Sequence, residues 1–293
     1  MMKKILITGA NSYIGTSFEA YVSRWPDEIQ TDTLDMLDPA WREASFAGYD
    51  CVFHVAGLAH SDTGNLSGAQ REEYYRVNTD LAVETAVKAK ASGVKQFIFM
   101  SSAIVYGNSA RMGCARHITR ETPIAPANCY GDSKARAEQG ILPLQDDSFK
   151  VVILRPPMVY GPGSKGNYPT LAKLARTLPA FPKVENRRSM LYVKNLMEFV
   201  RLMVVNEEQG IFWPQNREYV NTSDLARQIA RAHGKTLLML PGVSWALKLL
   251  SHATALVDKA FGSLTYDMSL SEYREDYRIV DFEESILETE GIS

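Results

Sequence analysis

Tyr130 and Lys134 stand four residues apart in Tyr130-Gly131-Asp132-Ser133-Lys134, so a helix there puts both side chains on one face. A tyrosine hydroxyl, with an ordinary pKa near 10, is a poor base at neutral pH. An ammonium about 5 Å away, at an effective dielectric near 20, favours the phenolate by about 3 kcal/mol, roughly two pKa units. Ser101 and Ser102, in Phe99–Gly107 (FMSSAIVYG), follow an apolar run of strand length. Such a serine can hydrogen-bond the carbonyl or alcohol oxygen with which the tyrosine exchanges a proton, which is general acid–base chemistry. A lone Tyr-x-x-x-Lys spacing is more often a surface tyrosine and a solvated lysine, so the pair gains meaning from its company.

That company begins at LITGANSYIG, Leu6 to Gly15. Lys3–Ile7 reads as a buried strand and Thr16–Val22 as a helix, with Gly9 for the turn and Gly15 for close helix–strand contact. Backbone amides over Asn11, Ser12, Tyr13 and Ile14, at the positive end of that helix, can face a pyrophosphate. Ser12 occupies the middle position where such turns usually carry glycine, and its hydroxyl can itself donate to phosphate. Taken alone, the turn serves equally well as a plain strand-to-helix connection. With the serines and the Tyr/Lys pair following in order, the set reads as acid–base groups beside a hydride carrier.

The elements that must position these residues are legible as alternation. Strand-length runs at Lys3–Ile7, Cys51–Val55, Gln96–Met100 and Val151–Leu154 are separated by helical segments. These include Asn78–Ala91, whose apolar face is Leu81, Val83, Ala86 and Val87, and Asp132–Leu142. Such alternation predicts an α/β fold with a Rossmann-like, doubly wound parallel sheet. Between Gly15 and Cys51 only Glu28–Asp35 resembles a strand, so one βα unit is compressed or lost. After about residue 160, prolines, glycines and shorter helices such as Thr222–His233, closed by Gly234, take over. The expected division is a dinucleotide-binding domain over 1–160, with some later strands returning from 180–220, and a smaller, mostly helical substrate lobe over 161–293.

Composition narrows the partners. The chain has 293 residues, 45% apolar, with net charge −2 and no basic block, which gives no case for a nucleic-acid partner. Cys51, Cys114 and Cys129 are too few and too irregular for a disulfide framework, which fits a reducing compartment. His54 and His60 flank the second strand without a third ligand at usable spacing, so no metal is expected. The apolar run after Met1–Lys4 is cut by Thr8 and Gly9, so no signal peptide is expected and the protein is assigned to the cytoplasm. Val243–Val257 holds Lys248 and His252 and is too short to span a bilayer. It is expected to be an amphipathic helix packed on the core, without membrane insertion, docking to a membrane surface being the lesser alternative.

TGANSYIG, HVAG (His54–Gly57), Asn78, SSAIVYG, YGDSK and LRPPMVYGPG (Leu154–Gly163) together resemble the extended short-chain dehydrogenase/reductase superfamily, in its NAD-dependent epimerase/dehydratase group acting on nucleotide sugars. The resemblance covers the chain to about residue 200. It implies Ser102, Tyr130 and Lys134 as catalytic residues, with Ser102 also touching substrate, and Asn78 as part of the active-site architecture. It implies Gly9, Asn11, Ser12, Tyr13, Ile14, Gly15, Val55, Ala56, Gly57, Ser101, Pro156 and Pro157 as cofactor contacts, with Asp35 and Met36 at the adenine. Asp32 is left as a doubtful ribose ligand, so NAD and NADP both stay open. Arg187–Leu196 (RRSMLYVKNL) resembles the segment whose arginine binds the substrate diphosphate, which implies Arg188. Lys165 and Asn167 are further substrate candidates. A homodimer is implied as well.

Dehydratases of this group carry an acidic pair after the serine position, whereas Ala103 and Ile104 stand here. Reaction at carbon 4 of a probable UDP-sugar remains, with a lean to a 4-keto-sugar reductase over a 4-epimerase holding NAD. Met158, where epimerases often keep asparagine, supports that lean. A non-catalytic cofactor-binding scaffold is the alternative of another class, disfavoured because Tyr130 and Lys134 are both present.

Overall fold

Short apolar runs form the strands, and the polar, alanine-rich stretches between them coil. The computed structural model describes residues 2–58, 66–251 and 255–292; His60 and His252 lie outside the described residues. In chain order the elements are β1 (Lys3–Thr8), α1 (Tyr13–Val22), β2 (Ile29–Leu34), β3 (Cys51–His54), α2 (Gly68–Tyr75), α3 (Leu81–Ala91) and β4 (Gln96–Met100). There follow β5 (His117–Ile118), α4 (Cys129–Ile141), β6 (Lys150–Leu154), β7 (Met158–Tyr160), α5 (Asn167–Thr177), β8 (Ala180–Pro182), β9 (Met190–Tyr192) and α6 (Val193–Val205). The chain ends through β10 (Gly210–Phe212), α7 (Thr222–Ala232), β11 (Leu238–Leu240), α8 (Ser244–Ser251), α9 (Ala255–Phe261), β12 (Thr265–Tyr266) and α10 (Phe282–Glu290).

Two compact units result. The first comprises Met1–Gly107, Pro123–Pro156 and Leu196–Pro214. Its six-stranded sheet runs β10-β6-β4-β3-β1-β2, every neighbouring pair parallel. Chain order reverses at β1, where β2 pairs on one side and β3 on the other. In parallel sheets that reversal opens a crevice at the strands' carboxyl ends. Ile5, Ile7, Val52, Phe53, Phe97 and Val152 are fully buried, as expected of strands covered on both faces. Where a crossover helix would join β2 to β3 there is one 3₁₀ turn, Pro39–Arg42, and Trp41 and Phe46 fill the space.

The α3 stripe differs from the sequence expectation. Ala82, Thr85, Ala86 and Ala89 are buried while Val87 is 48% exposed. Small side chains let the helix approach its neighbours closely. A Cβ on Gly140 of α4 would stand 2.6 Å from Val83 Cγ2, so this crossing depends on a glycine.

The second unit comprises Asn108–Thr122, Pro157–Asn195 and Gln215–Ser293. The border therefore falls between Pro156 and Pro157 rather than after residue 160, with Asn108–Thr122 in the second unit and β10 in the first unit's sheet. Three short parallel pairs, β7 with β9, β8 with β11 and β5 with β12, lie among its helices. Asn221 caps α7 through the Ser223 and Asp224 amides, and Gly234 beyond its end has φ +67°. The core packing expected over Val243–Val257 is not seen in α8, which buries none of its residues, while Val257 and Phe261 of α9 are buried. The turn at Pro241-Gly242, φ +78° at Gly242, separates α8 from β11, and Trp245, Leu249 and Leu250 of α8 are exposed.

Candidate active site

The glycine turn is built around two backbone constraints. Gly9 has φ +126°, and a Cβ there would meet the Ala56 amide nitrogen at 2.7 Å, so glycine is required twice over. Asn11 takes the left-handed conformation, φ 60°, which asparagine tolerates better than most residues. Ser12 is extended (φ −71°, ψ 140°), a conformation that needs no glycine, and it caps α1, its Oγ accepting the Gly15 amide at 3.1 Å. The departure at the middle position thus costs the turn nothing in backbone strain and supplies an N-cap. Tyr13 and Ile14 open α1, where amides lack intrahelical acceptors and the helix end is positive. The Tyr13 hydroxyl is buried without a partner among the described residues, a polar group in want of a ligand. Open amides, a close backbone approach at Gly9 and this orphaned hydroxyl fit a dinucleotide pyrophosphate.

At the exit of β3, the Val55 and Ala56 amides both donate to Thr8 O (3.0 and 2.9 Å), locking the segment to β1. A Cβ on the next residue, Gly57, would face Asn78 Oδ1 at 3.0 Å and Lys134 Nζ at 3.3 Å. Asn78 sits in a π turn, Arg76–Asp80, inserted between α2 and α3, and the extra residue turns its side chain inward. Its Oδ1 accepts the Leu58 amide at 2.7 Å, and its Nδ2 donates to Leu58 O at 3.0 Å and Ser133 Oγ at 3.1 Å. Asn78 therefore fastens the loop after β3 to α4.

Ser101 and Ser102 leave the end of β4. Ser102 caps the 3₁₀ turn Ala103–Tyr106, its Oγ accepting the Ile104 amide at 3.3 Å. Helix α4 begins at Cys129, three residues before the sequence pattern suggested, because Asn128 caps it through the Gly131 amide at 2.9 Å. Tyr130 thus lies in its first turn. A Cβ on Gly131 would meet Ile104 O at 2.7 Å, so this glycine brings the start of α4 against the Ser102 turn. Lys134, one turn on, is 5% exposed; its Nζ donates to Met100 O at 2.8 Å and lies 4.6 Å from the Phe99 ring centre.

The electrostatics correct one expectation. Burial pushes the Tyr130 phenol up to about 12, with the Ser102 hydrogen bond pulling the other way. Burial also pushes the Lys134 ammonium down to about 8, opposed by the Glu138 carboxylate. The expected acidification of Tyr130 does not arise, because the ammonium is turned toward the Met100 carbonyl and Gly57, and desolvation of the phenol dominates.

Sequence reading missed Glu138, although Tyr130, Lys134 and Glu138 at successive i,i+4 steps mark one face of α4. Glu138 is 1% exposed and accepts the Ser101 hydroxyl. Arg155, at the end of β6, donates to it from Nε at 3.1 and 3.2 Å and from Nη2 at 2.5 Å. Arg155 Nη1 also donates to the Tyr106 hydroxyl at 2.6 Å, which accepts Trp213 Nε1 at 2.7 Å. This buried network ties β4, β6, the Ser102 turn and α4 together directly behind the candidate residues.

Most of the other candidates have their own local partners. Asp32 accepts the Tyr49 hydroxyl at 2.9 Å, Asp35 accepts the Leu37 amide at 2.9 Å, and Met36 is buried. Pro156 O accepts the Ala103 amide at 2.9 Å, while Pro157 opens the second unit. Arg188 belongs to the second unit, where Nη1 donates to Lys259 O and Ala260 O at 2.8 and 3.0 Å, and burial lowers its guanidinium from the ordinary value. Lys165 and Asn167 are exposed, Asn167 opening α5. His54 is buried against Thr8 Oγ1 at 2.8 Å and held neutral by desolvation. No group of His, Cys, Asp or Glu able to hold a metal ion occurs among the described residues.

Comparison with known proteins places this geometry. The model of the NAD dependent epimerase/dehydratase family matches residues 5–213. The chain is 30% identical to a UDP-glucose 4-epimerase of Vibrio cholerae, over 92% of this chain and 88% of that protein. It is 28% identical to an N-acetyl-alpha-D-glucosaminyl-diphospho-ditrans,octacis-undecaprenol 4-epimerase of Escherichia coli O157:H7, over 77% of this chain and 69% of that one. Among solved structures, a dTDP-4-dehydrorhamnose reductase from Clostridium acetobutylicum has TM-score 0.73 at 18% identity, covering 98% of both chains. A UDP-glucuronic acid 4-epimerase from Bacillus cereus in complex with NAD has TM-score 0.73 at 16% identity, covering 99% and 96%. At such identities the structural likeness shows the fold. With that fold, an NAD(P)-fitting turn and the Ser102, Tyr130, Lys134 cluster, the chain belongs to the NAD dependent epimerase/dehydratase family, NAD(P)-dependent enzymes of the extended short-chain dehydrogenase/reductase type.

Proposed function

We propose that the protein reduces the 4-keto group of a UDP-linked sugar with NADH or NADPH. The arrangement that carries this reading is Tyr130 in the first turn of α4 and Lys134 one turn on, with Ser102 at the end of β4; Met158, where epimerases often keep asparagine, gives the lean toward reduction. The nicotinamide, when bound, supplies the hydride. Ser102 holds the ketone oxygen, and Tyr130 delivers its proton to the forming alkoxide. Gly57 leaves the space beside Lys134 Nζ open. Ala103 and Ile104 offer no acid for elimination of water, which argues against dehydration.

The second reading is 4-epimerisation with retained NAD, favoured by the 30% identity to a UDP-glucose 4-epimerase. One experiment separates them. The purified protein, given NADH or NADPH and a panel of UDP-4-keto sugars, should oxidise the cofactor stoichiometrically with alcohol formed. Protein that carries bound NAD from purification, and interconverts UDP-sugar epimers with no net change in cofactor absorbance, overturns the reductase reading in favour of the epimerase. Absence of both activities overturns both.

A further inference from the structure

Between Asp224 and Asp258 the chain contains no Asp or Glu, although it has 34 of them in all. The same stretch carries Arg227, Arg231, Lys235 and Lys248. Within it several large apolar side chains stand in solvent: Leu238 at 61%, Leu240 at 38%, Trp245 at 73%, Leu249 at 69% and Leu250 at 49% exposure. Leu238 and Leu240 are two apart on β11 and share a face. Trp245 and Leu249 are one turn apart on α8, with Lys248 between them. Lys235 is anchored at the start of this surface, its Nζ donating to Arg176 O and Leu178 O at 2.8 and 2.6 Å.

We propose that the β11–α8 surface docks the protein on an anionic lipid bilayer. The apolar content alone suits a second copy of this chain or another protein equally well, and the charge pattern decides. In a chain whose acidic residues outnumber its basic ones, an acid-free run with lysines beside an exposed tryptophan and leucines complements negative headgroups above an acyl layer. Tryptophan is the side chain best suited to that boundary, having an apolar body and one polar N–H. At eight residues, roughly 12 Å, α8 lies in the interface plane without crossing it. No helix among the described residues is long and apolar enough to cross a membrane. The proposal is independent of the keto-sugar reading, since vesicle binding needs neither cofactor nor sugar.

The test is co-sedimentation of the full chain with vesicles of phosphatidylcholine, with and without about one third phosphatidylglycerol, alongside tryptophan emission. Trp41 and Trp213 are buried and Trp25 is half-buried, so a blue shift on binding is assigned to Trp245 by its loss in the Trp245→Ser/Leu249→Ser variant. Binding to the anionic vesicles, weakened by salt, is expected. The double variant Trp245→Ser/Leu249→Ser should bind at least about tenfold more weakly, and Lys248→Gln should weaken the preference for anionic lipid. Melting temperature and cofactor-dependent turnover of a soluble substrate should be unchanged in both. No binding to either vesicle, or equal binding by the Trp245/Leu249 variant, overturns the proposal. So does self-association that the variant abolishes while vesicle binding is absent, which would make this an interface between copies.

Discussion

Removing the Glu138 carboxylate tests the idea that the site rests on a buried charge pair. Glu138 and Arg155 are 1% and 5% exposed, and Glu138 also takes the Ser101 hydroxyl. Glu138→Ala leaves the guanidinium buried without its counter-charge, which costs about 3–5 kcal/mol. The lost Ser101 hydrogen bond adds about 1 kcal/mol. A destabilisation of about 4–6 kcal/mol is expected, a fall in melting temperature of roughly 10 °C or more for a unit of this size. Glu138→Gln preserves shape and an acceptor for Ser101, and should lose about half as much. The double variant Glu138→Leu/Arg155→Met removes both charges, and its loss should fall short of the summed single losses by at least about 2 kcal/mol. Denaturant unfolding followed by circular dichroism gives these values, with Glu138→Leu and Arg155→Met measured singly to close the cycle. If Glu138→Ala lies within about 1 kcal/mol of the parent, or the double variant is as unstable as the sum, the pair does not organise this region.

Other consequences are open to direct measurement. Tyr130→Phe should abolish turnover while cofactor affinity stays within a few fold, because only the proton path is lost; near-full activity would remove Tyr130 from the chemistry. Lys134 is held at about 8 in the folded protein against 10.5 for the free group, so between those values the unfolded chain binds more protons and stability should rise with pH. Its proton costs the fold up to roughly 3 kcal/mol below pH 8, a cost relieved as pH passes 10.5; Lys134→Met should erase that part of the pH dependence, and matching profiles would refute it. Ser12→Ala should cost about 1 kcal/mol by removing the cap of α1, and Ser12→Gly only a few tenths, measured by thermal unfolding; equal losses would mean that the cap is idle.

The sequence by itself determined the sheet and the order of its chemistry. Apolar runs of strand length at Lys3–Ile7, Cys51–Val55, Gln96–Met100 and Val151–Leu154 have no stable alternative to buried parallel strands once helices alternate with them. The four-residue step from Tyr130 to Lys134 needs only helical pitch to bring both to one face. Tertiary structure alone decided what those groups experience. The direction of the Lys134 ammonium is set by Met100 O and the space at Gly57, and no local spacing encodes it. Glu138 and Arg155 are 17 residues apart, and their pairing exists only because β6 lies beside β4, over which α4 packs. The small-residue stripe of α3 and the outward α8 likewise follow from what else occupies the interior. Periodicity says which face is apolar, while packing says whether anything is there to receive it.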